Sequence, residues 1–135
     1  MQSDRCPMVE LLDIQAGFGG LAPGQREPVP AECVAALVRK YRMAQAVVRI
    51  TPEAQDFDVC RSNERLYAET ARWPELRPCP VVVPAACGDL PTEEAQVADA
   101  IGHGAPAVVL RPAPDRWEAE PWVVGPLLQA LAARR

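Results

Sequence analysis

Four short apolar runs punctuate this chain, at residues 9–14, 46–50, 81–83 and 107–110, each rich in branched or small aliphatic side chains. Their starts lie about thirty residues apart. Continuous apolar runs of this length suit strands buried on both faces, the habit of parallel sheets. Between them the polar and apolar positions change to a helical period. Residues 31–43 place Cys33, Leu37 and Tyr41 on one stripe with Val34 and Val38 beside it, and Arg39, Lys40 and Arg42 near the end where the helix dipole favours cations. Pro30 stands where a first-turn proline is tolerated. Residues 62–73 put Leu66, Thr70 and Trp73 on one face, with Ser62 as a candidate N-cap and Pro74 as the stop. Residues 92–101 carry Glu93 and Glu94 in the first turn and end at Gly102. A Leu/Ala run at 124–133 closes on two arginines.

Strand then helix, four times over, predicts an α/β fold of four successive parallel βα units. Two architectures accommodate that order: a small open doubly wound sheet, or half of a (β/α)8 TIM barrel. The unit length favours the barrel, because eight such units give about 250 residues. Residues 1–135 are read as a single domain, since 135 residues suffice for one ordinary core.

Composition narrows the function classes. The net charge is −4, and nothing in it argues for nucleic acid, which usually demands a basic stripe; that 13 of the 14 basic residues are arginine reads as the bias of a GC-rich genome rather than a function. No run approaches the roughly 18 apolar residues of a membrane span. The polar opening Met1-Gln2-Ser3-Asp4-Arg5 is unlike a signal peptide, and the expected location is cytoplasmic. Five scattered cysteines (Cys6, Cys33, Cys60, Cys79, Cys87) form no Cys-x-x-Cys pair, and the expectation is free buried thiols.

The order of motifs carries a resemblance. An opening strand runs into Asp13-x-x-x-Gly17-x-Gly19, then come "YRMAQAVVRI", "CRSNERLYAETARWPELRPCPVVVP", "EEAQVADAIGHGAPAVVLRP" and a terminal "PWVVGPLLQALAARR". Taken together these resemble the N-terminal half of the amidohydrolase-related family of metal-dependent hydrolases and decarboxylases. The resemblance implies a TIM barrel and a divalent metal such as zinc, held by a His-x-His after the first strand and by later histidine and aspartate. Here Gln15 and Gly17 occupy the two His-x-His positions. A primary amide is a poor ligand for such a metal, and glycine has no side chain. Gln15 and Gly17 therefore mark a vacated metal site. The implied function is a family relative with hydrolase or lyase ancestry, inactive as this chain, with no catalytic residue, no metal ligand and no cofactor assigned. The implied partners are a second copy of the chain or a missing second half-barrel.

Other residues are weighed on their own chemistry. Alternation along a strand puts Leu11, Asp13 and Gln15 on one face, so Asp13 and Gln15 are candidates either for a hydrogen-bonded structural pair or for a residual ligand site. Arg111, just after the fourth run, could clamp a carboxylate or phosphate, or could pair with Asp115 in the same loop. A small-ligand or scaffolding module using Asp13, Gln15 and Arg111 is the alternative function; half of an enzyme completed by a partner chain is another. His103 is expected in a surface loop away from any site. Glu53, Asp56 and Asp58 match no calcium loop and read as a solvated turn that helps to start a helix. Gly17-Phe18-Gly19-Gly20 reads as a turn rather than a phosphate cradle. Cys87, without a basic partner, reads as small-residue packing.

A half-barrel would also bare its inner face. About six aliphatic side chains at roughly 1.5–3 kcal/mol each would forfeit about 9–18 kcal/mol. That loss predicts pairing with another chain across open strand edges.

Overall fold

The computed structural model describes residues 11–21, 23–55, 58–88 and 90–134. Three parallel strands and four helices follow one another in the order β1 (Leu12–Phe18), α1 (Ala31–Lys40), β2 (Gln45–Ile50), α2 (Val59–Thr70), β3 (Leu76–Pro78), α3 (Glu93–Gly102) and α4 (Pro121–Ala132). The sheet order is β1-β2-β3, both pairings parallel.

Four successive βα units, the half-barrel expected above, are therefore not formed. The third strand lies at 76–78, ahead of the valine run at 81–83, and that run makes only one isolated parallel bridge, Val81 with Val109. The reason lies in who can hydrogen-bond to it. Pro80 and Pro84 bracket the run and have no N–H to give a ladder. Val82 N–H donates to the Val109 carbonyl at 3.0 Å, and Val109 N–H to the Pro80 carbonyl at 2.8 Å. On the other side, side chains replace a strand. Asn63 of α2 accepts from Val81 N–H at 3.0 Å and donates to the Val81 carbonyl at 2.7 Å. Gln96 of α3 does the same for Val83, at 3.1 and 2.9 Å. Glu93 accepts from Ala85 N–H at 3.0 Å. Alternate residues of an extended chain point their polar groups the same way, so side chains meeting Val81, Val83 and Ala85, two positions apart, complete what a strand would have supplied.

The main core fills the space between the sheet and the first two helices. Phe18, Val48, Ile50 and Leu76 meet Val34, Ala35, Val38 and Leu66 there. The face α1 buries is Ala31, Val34, Ala35 and Val38; Leu37 and Tyr41, on the stripe expected to be buried, are 50% and 56% exposed, and Cys33 is exposed too. In α2 the expected face holds, with Leu66 and Thr70 buried and Trp73 packed against them. The helix starts earlier than expected, because Asp58 rather than Ser62 caps it, its carboxylate accepting from Arg61 N–H at 3.1 Å. Thr92 caps α3 in the same way at 3.3 Å. Pro121 opens α4 three residues ahead of the expected start, and Val82, Val97, Leu127 and Ala130 form the seam where α3 and α4 meet.

The sheet face turned away from α1 and α2 mixes polar and aliphatic side chains. Register places Gln45 and Arg49 of β2 and Arg77 of β3 on it. Gln45 accepts from Arg77 Nε at 3.1 Å and Nη2 at 3.2 Å once its amide is oriented to suit both groups. Val47, between them, is 7% exposed. Leu12, paired with Gln45, lies on this same face at the β1 edge, where it and Ile14 are 54% and 74% exposed. Among the described residues no helix is long and apolar enough to cross a membrane.

Candidate functional site

Parallel sheets place ligands beyond the C-terminal ends of their strands, so that end is where the expected site residues fall to be judged. Gly17 pairs with Arg49 of β2. A Cβ added at Gly17 would lie 3.0 Å from Thr51 Cγ2 and 3.4 Å from the Arg49 carbonyl oxygen. The position is filled by its neighbour, and a histidine ring could enter only if Thr51 gave way. Gln15 is exposed. Asp13 and Gln15 do not form the inward pair expected of them. The register shifts between Asp13 and Ala16, so that Asp13 and Ala16 oppose Ala46 and Val48 on the same side, and the extra residue bulges. The half-buried Asp13 carboxylate accepts from Gln15 N–H at 2.9 Å, a local turn contact.

Arg111 takes the structural role. Its Nη2 and Nε donate to the two carboxylate oxygens of Asp115 at 2.6 and 3.3 Å, and Nη1 donates to Gln55 Oε1. The two charged side chains are only 14% and 10% exposed. A fork already closed on an acid has no free pair of donors for a ligand. The cavity beside it, lined by Arg49, Gln55, Ser62, Asn63, Cys79 and Arg111, measures about 20 Å³. That is room for about one water. Burial pushes the Cys79 thiol up from its ordinary value, with Arg49 opposing the shift.

Asp13 and Gly17 line a cavity of about 310 Å³ between β1 and α1, whose other walls include Val34, Leu37, Val38 and Tyr41. A larger one lies elsewhere. A groove of about 680 Å³ opens between α2 and α3. On one wall stand Cys60, Glu64 and Tyr67, spaced four and three residues apart so that they share a face of α2. On the other stand Asp99 and His103, four apart at the end of α3. The rings of Tyr67 and His103 close one end, stacked with centroids 3.8 Å apart and planes within 1°. His103 Nδ1 lies 2.9 Å from the Asp99 carbonyl and 3.4 Å from Asp99 Oδ1. Burial, then the Asp99 charge and the hydrogen bond to that carboxylate, push the Tyr67 hydroxyl well above its ordinary range. Burial also raises the Cys60 thiol, with the charges of Asp58, Glu64 and Asp99 adding to it. Cys60 is thus held as a thiol, the form that is a poor nucleophile. It also sits two helical turns, about 10 Å, from Tyr67 and the histidine stacked there.

His103 was expected in a surface loop, and it is exposed, but it belongs to this cluster. Tyr67, Glu64 and Asp99 were not singled out from the sequence at all. The spacing of 60, 64 and 67 on one helix face and of 95, 99 and 103 on another was the available signal. Cys33, Cys60 and Cys87 are free and exposed, and Cys79 is half-buried, so the buried-thiol expectation fails for three of the four; Cys6 lies outside the described residues. Asp56 also lies outside them, as does the side chain of Glu53. Among the described residues no three His, Cys, Asp or Glu side chains come together as a metal cage would need. No protein-family model matches this sequence, and neither a curated protein nor a solved structure is significantly similar to it. What the fold itself defines is a mixed α/β domain of three parallel strands and four helices.

Proposed function

We propose that this chain is a small-ligand binding domain that works through the groove between α2 and α3, and not a self-sufficient metal hydrolase. One observation carries the reading. The groove is about 680 Å³, well inside the roughly 300–1,000 Å³ of ordinary ligand sites, and joins several titratable side chains, whereas the cavity at Asp13 and Gly17 is about 310 Å³ with otherwise apolar walls and Tyr41, and the one beside the engaged Arg111 is about 20 Å³. Amide chemical-shift mapping against a set of single-ring aromatic fragments, of positive, neutral and negative charge, tests it. Shifts should gather on residues 59–71 and 91–103, while Gly17 and Arg111 stay unmoved. Shifts confined to Gly17, Arg49 and Arg111 would refute it.

A second reading keeps amidohydrolase ancestry, with chemistry completed by a partner chain or a second copy. It has one observation behind it: strands adjacent in sequence are adjacent in the sheet, without the reversal of a doubly wound order. Elemental analysis of purified protein separates the two. Stoichiometric zinc or manganese, lost on mutation near Gln15, would favour the second.

A further inference from the structure

We propose that the ligand of the α2–α3 groove is a small organic cation, an ammonium or guanidinium group on an apolar body. The inference rests on the binding reading above and adds the charge of the ligand. The body is called for by the walls, where Val59, Ala68, Ala71, Pro91 and Ala95 supply the apolar surface. Small side chains there leave width for a flat or aliphatic group. The head is called for by Glu64 and Asp99, which stand on different helices and both face the space. No lysine or arginine lines it among the described residues. Two carboxylates with no lysine or arginine beside them, and with only the His103 ring against Asp99, favour a positive group and oppose a carboxylate or phosphate.

The protein's own groups register that field. Both the Cys60 thiol and the Tyr67 hydroxyl are held protonated in part by these acids. Asp99 is also oriented: the His103 ring lies against it, with Nδ1 3.4 Å from its carboxylate. A carboxylate fixed at the end of a groove is a better counter-charge than a freely rotating one, because less side-chain entropy is lost when the ligand arrives. Glu64, on the opposite wall and exposed, supplies charge without a structural task.

Three probes of one shape test the inference: 4-phenylbutylamine, 4-phenylbutanol and 4-phenylbutanoate, titrated into the full chain at neutral pH and read by calorimetry and amide shifts. The amine should bind about tenfold tighter than the alcohol, and the butanoate weakest. Glu64→Gln should cut amine affinity about threefold or more while leaving the alcohol unchanged, and raising salt should do the same. Because Glu64 is exposed, the variant keeps its fold, checked by circular dichroism. Equal affinity for amine and alcohol, with shifts in the groove, overturns the charge assignment and leaves the binding reading standing. If no probe shifts any amide of α2 or α3, both fall.

Discussion

Strand β2 of the ladder and the valine run at 81–83 are both largely buried and held in different ways. In the first, backbone meets backbone across a parallel ladder. In the second, Val81 and Val83 are 4% and 3% exposed, yet their N–H and C=O groups on one side are met by the amides of Asn63 and Gln96. The handover is at Cys79, whose N–H makes the last bond to β2 through the Val48 carbonyl at 2.8 Å. An apolar run thus declares that a segment will be buried. It does not declare what will satisfy its backbone, which is written in polar side chains on other elements.

The sharpest way to break this comparison is to remove one of the substitutes. Asn63→Leu keeps the bulk and strands both polar groups of Val81. At roughly 1–3 kcal/mol for each buried unsatisfied group, the loss should be about 2–6 kcal/mol in urea unfolding. Asn63→Asp retains the acceptor for Val81 N–H but sets a carboxylate oxygen against the Val81 carbonyl, so its loss should fall between wild type and the leucine variant. A leucine variant within about 0.5 kcal/mol of wild type would mean that the amide is dispensable.

Asp115→Ala, which frees the Arg111 guanidinium, should cost about 3 kcal/mol, the low end for breaking a buried pair, since the two groups keep 14% and 10% exposure. Gln96→Ala comes next, at about 1–3 kcal/mol, because Gln96 sits nearer to solvent and water can reach part of what it leaves. Native-state hydrogen exchange should show the Val83 amide accelerated and Val48 unchanged. Equal acceleration at both would make the two regions one cooperative unit and dissolve the distinction.

Much of the molecule was legible before any coordinates. β2 and the four helices lie close to where the periodicity puts them, because Leu66, Val48 and their neighbours repeat at the periods those elements demand. β1 does so less well: it runs on through Gly17 and Phe18, which read as a turn, and it is largely exposed rather than buried on both faces. The i,i+4 relation of Arg111 and Asp115 was visible too. Three features were not. The valine run reads as a strand because Asn63 and Gln96 lie 18 and 13 residues away, beyond any local pattern. The bulge that separates Asp13 from Gln15 is a register event between two strands. The groove depends on Tyr67 meeting His103, a pairing of elements that no window along the chain contains.

A smaller test concerns the ladder side. Gly17→Ala adds a methyl 3.0 Å from Thr51 Cγ2, which must yield by a few tenths of an ångström. The cost should be about 1 kcal/mol, at the mild end of overpacking. Gly17→His should cost more, and it should not create a metal site, because one imidazole facing Thr51 has no second ligand placed beside it. A stabilised Gly17→Ala would show that the first strand has slack that the packing distance denies.

The smallest effect should appear at high pH, and it belongs to the junction itself. Cys79 has its thiol raised by burial above the ordinary value of 9.0, against the pull of Arg49. A folded-state value above the unfolded one means that the native chain holds the proton longer. The stability tied to the neutral thiol is therefore complete below about pH 9 and is lost as pH climbs through the raised folded value. Tyr67, raised further, adds a second loss at still higher pH. Thermal midpoints recorded from pH 7 to pH 11 should fall on the alkaline side. Cys79→Ala should flatten the earlier part of that fall and Tyr67→Phe the later part. An unchanged slope in Cys79→Ala would mean that the thiolate finds water or Arg49 without opening the junction, and that the handover from ladder to side chain is looser than its 2.8 Å bond implies.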